Sequence, residues 1–241
     1  MIVDVAVTPA ALQPTDAGRT IAVLDVLRAT TTIVAALANG ALAVVPVEEP
    51  KEAFAHAERL GRERVLLGGE RESVHIPGFD LDNSPRAYTR ERVDGKTIIF
   101  TTTNGTRALR RAAKIATSVI VATLRNRTAV AHALLAGAGD VTLLCAGSNG
   151  DFSFEDFLGA GAIVAAMRDR VPGLALGDSA FAALSAYARH ARALHAAVAQ
   201  GTHAQRLIRD GFAEDVVYCA EPDRMGLVPM LLDGTIAAPS A

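Results

Sequence analysis

The chain has 241 residues, half of them hydrophobic, which is enough to bury a core in one large domain or two small ones. Its formal net charge is -2 and it has no tryptophan, so neither a basic nor a base-stacking surface for nucleic acid is indicated. No uncharged apolar stretch approaches the roughly 18 residues of a membrane span, and the N-terminus lacks a signal-peptide pattern. We therefore expect a cytoplasmic protein without membrane or nucleic-acid partners, in which Cys145 and Cys219 stay reduced.

Short strands and longer helices are predicted to alternate over the first 170 residues. β-branched runs predict strands at residues 2–7, 20–24, 42–47, 65–67, 97–100, 118–122 and 141–145. Amphipathic segments predict helices at residues 31–39, 51–60, 107–114, 127–136 and 155–170. This alternation is typical of βα units around a largely parallel sheet, and the continuous apolar strands indicate that helices cover both of its faces.

The remaining sequence is predicted to be mostly helical. Residues 178–219 are rich in alanine, with breaks near Gly201 and Gly211. Residues 226–232 could add a strand, and we expect it at an edge or a bulge because Pro229 has no N–H to donate. No Pro/Gly/Ser-rich linker divides the chain, so we expect one α/β domain over residues 1–241, with a division into 1–92 and 93–241 as sub-structure.

One segment of the sequence echoes another at an offset of 77 residues. The stretch that begins at Gly18 and the stretch that begins at Gly95 each predict a strand, a polar loop, a helix and a second strand. Duplication of a βα unit is one explanation. Chance similarity between two ordinary βα units is the other.

In an open parallel sheet, ligands bind beyond the carboxyl ends of the strands, where helix N-termini attract anions. One loop of this kind follows Leu24. Asp25 could bind a cation or take a proton, Arg28 offers a planar fork of donors that matches phosphate, and Thr30 adds a hydroxyl. Alternatively, Asp25 only caps the helix and Arg28 pairs with a surface carboxylate.

A second such loop covers residues 101–107. Thr103, Asn104 and Thr106 could present polar groups to an oxyanion, and Gly105 permits a close approach of backbone N–H groups. The loop lacks the Gly-x4-Gly-Lys spacing of a P-loop. An ordinary Asn-Gly turn is the alternative.

The third loop covers residues 145–156. Ser153 and Asp156 fit a capping box, which places Glu155 and Asp156 in the first turn of a helix. Because adjacent helical residues point about 100° apart, one carboxylate could face a site while the other caps or orients. Plain capping is the alternative.

The long irregular stretch from residue 68 to 92 adds further candidates, since such connections are usually functional or mobile. Glu70 follows two glycines at a strand end, and Asn83 and Ser84 follow two aspartates. Each group alone could be a solvated turn.

Other chemistries find little support in the sequence. Cys145 has no arginine six positions later, so the phosphate loop of a cysteine phosphatase is missing. The six histidines show no zinc-ligand spacing, and we expect His190, His195 and His203 to be exposed or to pack in the helical region. The G-x-S-x-G and G-x-G-x-x-G motifs are absent.

Five segments, in family order over most of residues 1–161, resemble the 2-phosphosulfolactate phosphatase family. They are residues 25–32, Gly69-Glu70, Phe79-Asp80 with Asn83-Ser84-Pro85, residues 102–106, and residues 145–147 with Glu155-Asp156. Each is weak alone, but five in order are fairly specific. Asp82 stands where the family pattern has glycine, and an extra carboxylate there could alter metal or substrate preference.

The resemblance implies a three-layer α/β/α fold and a magnesium-dependent hydrolase that converts 2-phospho-3-sulfolactate to 3-sulfolactate and phosphate. That reaction belongs to coenzyme M biosynthesis in methanogens, and related chains occur in bacteria. A substrate with a phosphate, a sulfonate and a carboxylate requires several anion-binding loops. Mg²⁺ prefers oxygen ligands, often one or two carboxylates together with substrate phosphate and water, which suits a chain rich in loop carboxylates.

The resulting hypothesis assigns roles to the loop residues. Asp25 and one of Glu155 or Asp156 would hold Mg²⁺, with Glu70 as a further candidate. The expected catalytic residues are Asp25, Arg28, Glu70, Asn104, Glu155 and Asp156. The expected substrate-binding residues are Arg28, Thr30, Asn83, Ser84, Thr103, Asn104, Gly105 and Thr106.

Two alternatives stay open at this point. Asp80 and Asp82 could be the nucleophile and acid of an aspartyl-phosphate phosphatase, although the preceding Pro77-Gly78 argues against the usual strand-end position. The same scaffold could also be a non-catalytic anion-binding or sensor protein. The sequence leaves the formation of a homo-oligomer open.

Overall fold

The computed structural model describes residues 1–238, which form eleven strands and ten α-helices. The strands are β1 (Ile2–Ala6), β2 (Thr20–Leu24), β3 (Ala43–Pro46), β4 (Val65–Arg71), β5 (Val74–His75), β6 (Thr97–Thr101), β7 (Ser118–Ala122), β8 (Val141–Cys145), β9 (Ala175–Leu176), β10 (Met230–Leu232) and β11 (Thr235–Ala237). The helices are α1 (Ala29–Ala38), α2 (Pro50–Leu60), α3 (Arg90–Val93), α4 (Gly105–Ala113), α5 (Arg127–Ala136), α6 (Phe154–Arg170), α7 (Asp178–His190), α8 (Leu194–Val198), α9 (Thr202–Arg209) and α10 (Ala213–Cys219). Within residues 1–238, no helix is both long and apolar enough to cross a bilayer.

All eleven strands belong to one sheet, in the order β5-β4-β6-β3-β11-β10-β7-β2-β8-β1-β9. The strands β4, β6 and β3 are parallel to one another, and so are β7, β2, β8, β1 and β9. The β10–β11 hairpin lies between these two groups and pairs antiparallel with β7 and with β3. The predicted largely parallel sheet is therefore confirmed, and the hairpin makes its two parallel groups run in opposite directions.

The expectation of an edge strand near Pro229 is wrong. Strand β10 lies in the interior of the sheet, between β11 and β7. Pro229 immediately precedes β10, and its carbonyl oxygen accepts a hydrogen bond from Val121 N at 2.9 Å. Because this position serves only as an acceptor, the missing N–H of proline leaves no ladder bond unmade.

Helices cover both faces of the sheet, as predicted. Along β2, Ile21 and Val23 belong to the core that contains α1 and α4, whereas Ala22 and Leu24 belong to the core that contains α6. The side chains of a strand alternate between its two faces, so these two cores lie on opposite sides of the sheet. This arrangement confirms the three-layer α/β/α fold.

The order of the elements supports the internal duplication. The unit β2-α1-β3-α2-β4 is followed by β6-α4-β7-α5-β8, and β2 and β6 begin 77 residues apart, at Thr20 and Thr97. The second strand of each unit pairs with the first strand of the other, because β3 lies beside β6 and β7 beside β2. The exchange brings the N-termini of α1 and α4 together, since a Cβ added to Gly105 would lie 2.5 Å from that of Ala29.

Candidate active site

The loops that follow β2, β4, β6 and β8 converge with α9 on a narrow crevice. Its lining residues are Asp25, Leu27, Arg28, Glu70, Glu72, Ser73, Asn83, Thr103, Asn104, Asn149, His203 and Arg206. The crevice has a volume of about 20 Å³, which is room for about one water molecule or an ion of similar size. The structure thus brings together side chains from both βα units.

Two wider clefts adjoin this crevice. The first, of about 510 Å³, shares Thr103, Asn104 and Asn149 with it. The second, of about 430 Å³, shares Asn149, His203 and Arg206 with it and also contains Glu155; we call it the α9 cleft. A larger cavity, of about 680 Å³, lies beside β3 and the hairpin and contains none of the predicted site residues. We therefore place the site in the crevice, where the ionisable groups converge.

Asp25 stands at the end of β2 and is buried. Its Oδ1 accepts a hydrogen bond from Ala29 N at 3.2 Å, as expected of a residue that opens a helix. Burial raises the pKa of Asp25 from 3.8 to about 6; the nearby Glu70 and Glu155 carboxylates add to the rise, and His203 opposes it. Thr30 fixes this turn, because its Oγ1 donates to Asp25 O and accepts from Asp25 N, both at 2.9 Å. Thr30 thus supports Asp25 and does not line the crevice.

Arg28 follows a cis peptide bond after Leu27 and lies in the crevice wall. Its Nη1 donates to Asp215 Oδ2 of α10 at 2.7 Å, and its guanidinium lies 4.1 Å from the centre of the Phe212 ring. The side chains of Arg28 and Asp215 are only 2% and 3% exposed. The guanidinium is therefore fixed by a buried carboxylate and an aromatic face.

Glu70 organises the loop after β6. Its Oε1 accepts from Thr103 N at 2.8 Å, and its Oε2 accepts from Thr103 Oγ1 at 3.1 Å and from Ser73 N at 2.6 Å. Both oxygens are thereby engaged with the polypeptide. This bonding suits a residue that holds the Thr103 loop in place beside Asp25 better than a metal ligand.

The loop after β6 packs tightly against Asp25. A Cβ on Gly105 would lie 2.7 Å from Asp25 Oδ2, so only glycine fits this position. Thr106 is buried and its Oγ1 donates to Thr102 O at 3.0 Å, which closes the turn from behind. Asn104 lines the crevice, and its Oδ1 accepts from Asn149 N at 3.0 Å.

Asn83 and Ser84 approach the crevice from the irregular stretch. Asn83 lines it, and its Oδ1 is buried without a hydrogen-bond donor among residues 1–238. Ser84 does not line the crevice; its Oγ donates to Asp215 Oδ1 at 2.8 Å and thereby supports the partner of Arg28. Asp82, which stands where the family pattern has glycine, stabilises this turn, because its Oδ1 accepts a hydrogen bond from Ser84 N at 2.8 Å.

Glu155 and Asp156 open α6 and differ in their surroundings. Ser153 caps the helix, because its Oγ accepts from Asp156 N at 3.3 Å, as predicted. Asp156 accepts from Val26 N at 2.7 Å and from Gly147 N at 3.2 Å, one bond to each oxygen. Burial, together with the charges of Asp25 and Glu155, raises the pKa of Asp156 well above its ordinary value. Asp156 therefore joins the loops after β2 and β8.

Glu155 is buried beside α9. Its Oε1 lies 3.3 Å from His203 Nδ1 but accepts no hydrogen bond from the described residues. A buried carboxylate oxygen without a donor costs free energy unless a cation or a ligand compensates it.

A magnesium ion fits this set of donors in part. Residues 1–238 contain no group of three or more His, Cys, Asp or Glu side chains arranged to hold a metal. Mg²⁺ is commonly bound by only one or two carboxylates, with substrate phosphate and water as its other ligands. Asp25 lines the crevice and Glu155 lines the adjoining α9 cleft with one buried oxygen that accepts no hydrogen bond from residues 1–238, whereas the oxygens of Asp156 already accept backbone hydrogen bonds.

Sequence reasoning missed two residues of the crevice, His203 and Arg206. We expected His203 to be exposed or packed, but it lies beside Glu155 and lines the crevice. Both residues lie on α9, three positions apart and hence on one face of the helix. That spacing was the available signal, and nothing in the sequence tells which face of α9 meets the distant loops.

Asp80, the nucleophile of the alternative mechanism, lies outside the crevice. Its Oδ1 and Oδ2 accept from Arg62 Nη2 at 3.0 and 3.1 Å, and its Oδ2 also accepts from Leu67 N at 2.7 Å. These bonds give Asp80 a role in the turn that leads from β4.

Comparison with known proteins places the chain in a family. The family described as 2-phosphosulpholactate phosphatase matches residues 6–234. A protein of Symbiobacterium thermophilum named probable 2-phosphosulfolactate phosphatase is 44% identical over 220 residues, which cover 91% of this chain and 94% of that protein. Proteins with the same name from Caldanaerobacter subterraneus and Thermotoga maritima are each 42% identical, with 90% of both chains covered in each comparison. The resemblance inferred from five short segments is thereby confirmed, and the chain belongs to the 2-phosphosulfolactate phosphatase family.

Proposed function

We propose that this protein is a phosphoric monoester hydrolase that converts 2-phospho-3-sulfolactate to 3-sulfolactate and phosphate. Family membership over nearly the whole chain supports the proposal. The observation that carries it is the crevice where Asp25 and Arg28 of the first βα unit meet Thr103 and Asn104 of the second. Such a combination of carboxylate, guanidinium and polar donors is suited to the charge that develops during phosphoryl transfer.

One oxygen of the substrate's phosphoryl group would enter the crevice against Arg28. A guanidinium that Asp215 already holds in place needs no reorganisation to stabilise negative charge on phosphoryl oxygens. Asn104, which also lines the crevice, supplies the donors of its side-chain amide, whereas both donors of Thr103 are bonded to Glu70. Asn83, whose buried Oδ1 lacks a donor within residues 1–238, could accept a hydrogen bond from the attacking water.

We further propose that the enzyme uses Mg²⁺ and that Asp25 and Glu155 hold it. The chemistry that bound Mg²⁺ supplies is neutralisation of charge on the phosphoryl oxygens. Support comes from two buried carboxylates whose electrostatic interaction contributes to the raised pKa of Asp25. Asp156 would hold the loops of these ligands together without touching the ion.

We propose that the protein acts in the cytoplasm. Cys145 and Cys219 are both buried free thiols, which suits a reducing compartment. The partner that the proposal requires is a small anionic phosphoester, and neither nucleic acid nor membrane has a role in it. A homo-oligomer is compatible with the proposal, and light scattering of the purified protein would measure the oligomeric state.

The function is tested by phosphate release from 2-phospho-3-sulfolactate and from other phosphorylated 2-hydroxy acids. We expect turnover that EDTA abolishes and that added Mg²⁺ restores. The Asn104→Ala variant should lose most activity, whereas Arg192→Ala, at an exposed position of the helical region, should match the wild type. Tight binding of the phosphoester without turnover would instead favour the non-catalytic sensor. Full activity in EDTA would remove the magnesium proposal but leave the phosphatase.

A further inference from the structure

Arg206 lies where the crevice opens into the α9 cleft, since it lines both. Its Nη2 donates to Ser73 Oγ at 3.1 Å. Its Nε–H is buried and has no acceptor among residues 1–238. Within the same residues no carboxylate forms an ion pair with Arg206, although His203, one turn earlier on α9, has Glu155 at 3.3 Å. A positive charge and a buried donor are thus left without a partner at the mouth of the crevice.

This situation differs from that of other shielded arginines in the protein. Three of them have a carboxylate partner at 2.7 to 2.8 Å: Arg28 with Asp215, Arg125 with Glu221, and Arg127 with Asp223. A partly desolvated guanidinium without a counter-charge is unfavourable, because it has lost water and gained no anion. An anionic ligand would supply the counter-charge that residues 1–238 do not provide at Arg206.

Contacts of Ser73 hold Arg206 close to the proposed phosphoryl site. Ser73 N donates to Glu70 Oε2 at 2.6 Å, and Glu70 Oε1 accepts from Thr103 N at 2.8 Å. The chain of contacts therefore runs from Arg206 through Ser73 and Glu70 to the loop that would receive the phosphoryl group. It fixes one nitrogen of the guanidinium and leaves the buried Nε–H available.

The size of the crevice shows what must lie outside it. A volume of about 20 Å³ admits an ion or a single phosphoryl oxygen, but not a three-carbon acid with three anionic groups. The rest of the substrate must extend into an adjoining cleft. The α9 cleft, of about 430 Å³, has Arg206 on its wall at the point where it meets the crevice.

We propose that Arg206 binds the sulfonate of the substrate and is a specificity-determining residue, an inference that rests on the function proposed above. A sulfonate remains anionic over the whole working pH range and offers three acceptor oxygens to the planar donor fork of a guanidinium. Arg28 serves the phosphoryl group and Arg206 serves the group that distinguishes this substrate from other phosphorylated 2-hydroxy acids. The α9 cleft is thus the part of the site that recognises the sulfonate.

The test compares two substrates that differ only in this group: 2-phospho-3-sulfolactate and 2-phospholactate, which has a methyl group in place of the sulfomethyl group. We expect the wild type to prefer the sulfonate compound in kcat/KM. Arg206→Ala should lower kcat/KM for that compound by about 10- to 100-fold, the usual effect of losing a hydrogen bond between charged groups, and should change turnover of 2-phospholactate little. The preference should therefore disappear.

Two further variants separate recognition from folding. Arg206→Lys keeps the charge but loses the fork, so it should retain part of the preference. Ser73→Ala releases one nitrogen of the guanidinium and should weaken the preference by a smaller factor than Arg206→Ala. Arg192→Ala is the matched control at an exposed arginine and should leave both values unchanged.

The outcomes distinguish the inference from the proposed function. If Arg206→Ala and Arg206→Lys lower kcat/KM equally for both substrates, Arg206 acts on the phosphate, on the carboxylate or on the fold, and the inference is overturned while the phosphatase stands. An undiminished sulfonate preference in Arg206→Ala has the same consequence. A wild type that hydrolyses neither compound overturns the proposed function and this inference together.

Discussion

Asp215 Oδ2 of α10 lies 2.7 Å from Arg28 Nη1, although the two residues are 187 positions apart in the sequence. The pair is almost fully buried, and Ser84 Oγ donates to the other oxygen of Asp215. Through this contact the C-terminal helices hold a residue of the first βα loop in the crevice wall. Asp215 is thus a positioning residue for Arg28.

We predict that Asp215→Ala destabilises the protein by about 3–5 kcal/mol, since it leaves the buried charge of Arg28 without its partner. Activity should fall even where the variant remains folded, and urea unfolding together with phosphate release measures both effects. The neighbouring Glu214 pairs with Arg86 at the surface, so Glu214→Ala is a matched control that should change neither. Equal stability of the two variants would contradict the role given to Asp215.

A second prediction concerns Gly105, whose missing side chain leaves room for Asp25. A Cβ there would lie 2.5 Å from Ala29 Cβ and 2.7 Å from Asp25 Oδ2. Gly105→Ala should cost about 1–3 kcal/mol of unfolding free energy through overpacking and should lower turnover by displacing Asp25. Gly173→Ala is the control, because no atom lies within 4 Å of the added Cβ and the position needs no positive φ. Wild-type turnover in Gly105→Ala would show that this contact does not matter.

A third prediction separates the proposed metal ligands from the residue that supports them. Asp25→Asn and Glu155→Gln should each raise the Mg²⁺ concentration for half-maximal activity by at least about 10-fold, because each removes a charged ligand. Asp156→Asn should mainly lower stability, since its carboxylate accepts from Val26 N and Gly147 N. Activity measured over a Mg²⁺ titration, beside unfolding curves, checks all three. If Asp156→Asn weakens Mg²⁺ activation most, the assignment of ligands is wrong.

The fourth prediction is a loss of stability in alkaline solution caused by the buried thiols. Burial raises the pKa of Cys219 from 9.0 to about 12, with Asp215 adding to the rise and Arg28 opposing it. Burial likewise raises the pKa of Cys145 well above its ordinary value. The folded state therefore keeps protons that the unfolded state releases above about pH 9. The contribution of each thiol is complete below that pH and is lost as the pH rises toward the folded-state value.

Each thiol should steepen the fall in unfolding free energy by up to about 1.4 kcal/mol per pH unit. Urea unfolding of the wild type and Cys219→Ala between pH 8 and about pH 10 measures this slope, and the variant should show the shallower one. Because the loss of unfolding free energy caused by the substitution itself does not depend on pH, it does not affect the comparison of the two slopes. Identical slopes would mean that Cys219 does not titrate differently in the two states.

Local sequence patterns predicted much of the fold. Three strands, 20–24, 118–122 and 141–145, have the predicted bounds, because each is a continuous apolar run between polar loops. Of the hairpin, only a strand within residues 226–232 was predicted, and the three-residue β11 was not. Short strands bury too little of their own surface to be recognised, and the place of this hairpin depends on β3 and β7, which flank it.

The lining of the crevice was predicted where its residues follow strand ends. Asp25, Arg28, Glu70, Asn83, Thr103 and Asn104 all line the crevice, whereas Thr30, Ser84 and Thr106 support it from behind. Polar residues at a strand end carry a signal because the strands of one parallel group end at the same edge of the sheet. That the ends of two oppositely directed groups meet at one crevice was decided by the tertiary structure. His203 and Arg206 carry no such signal, since a short amphipathic helix can dock by its apolar side in many places.

The sequence by itself determined the βα units, the apolar strands and the polar loops that follow them, because these depend on the periodicity and chemistry of neighbouring residues. Only the tertiary structure decided that two units exchange strands, that a C-terminal hairpin lies between them, and that α9 and α10 bring Arg206 and Asp215 to the first loop. Those choices rest on long-range packing and on buried charges that need partners, and neither is encoded within one segment of the chain.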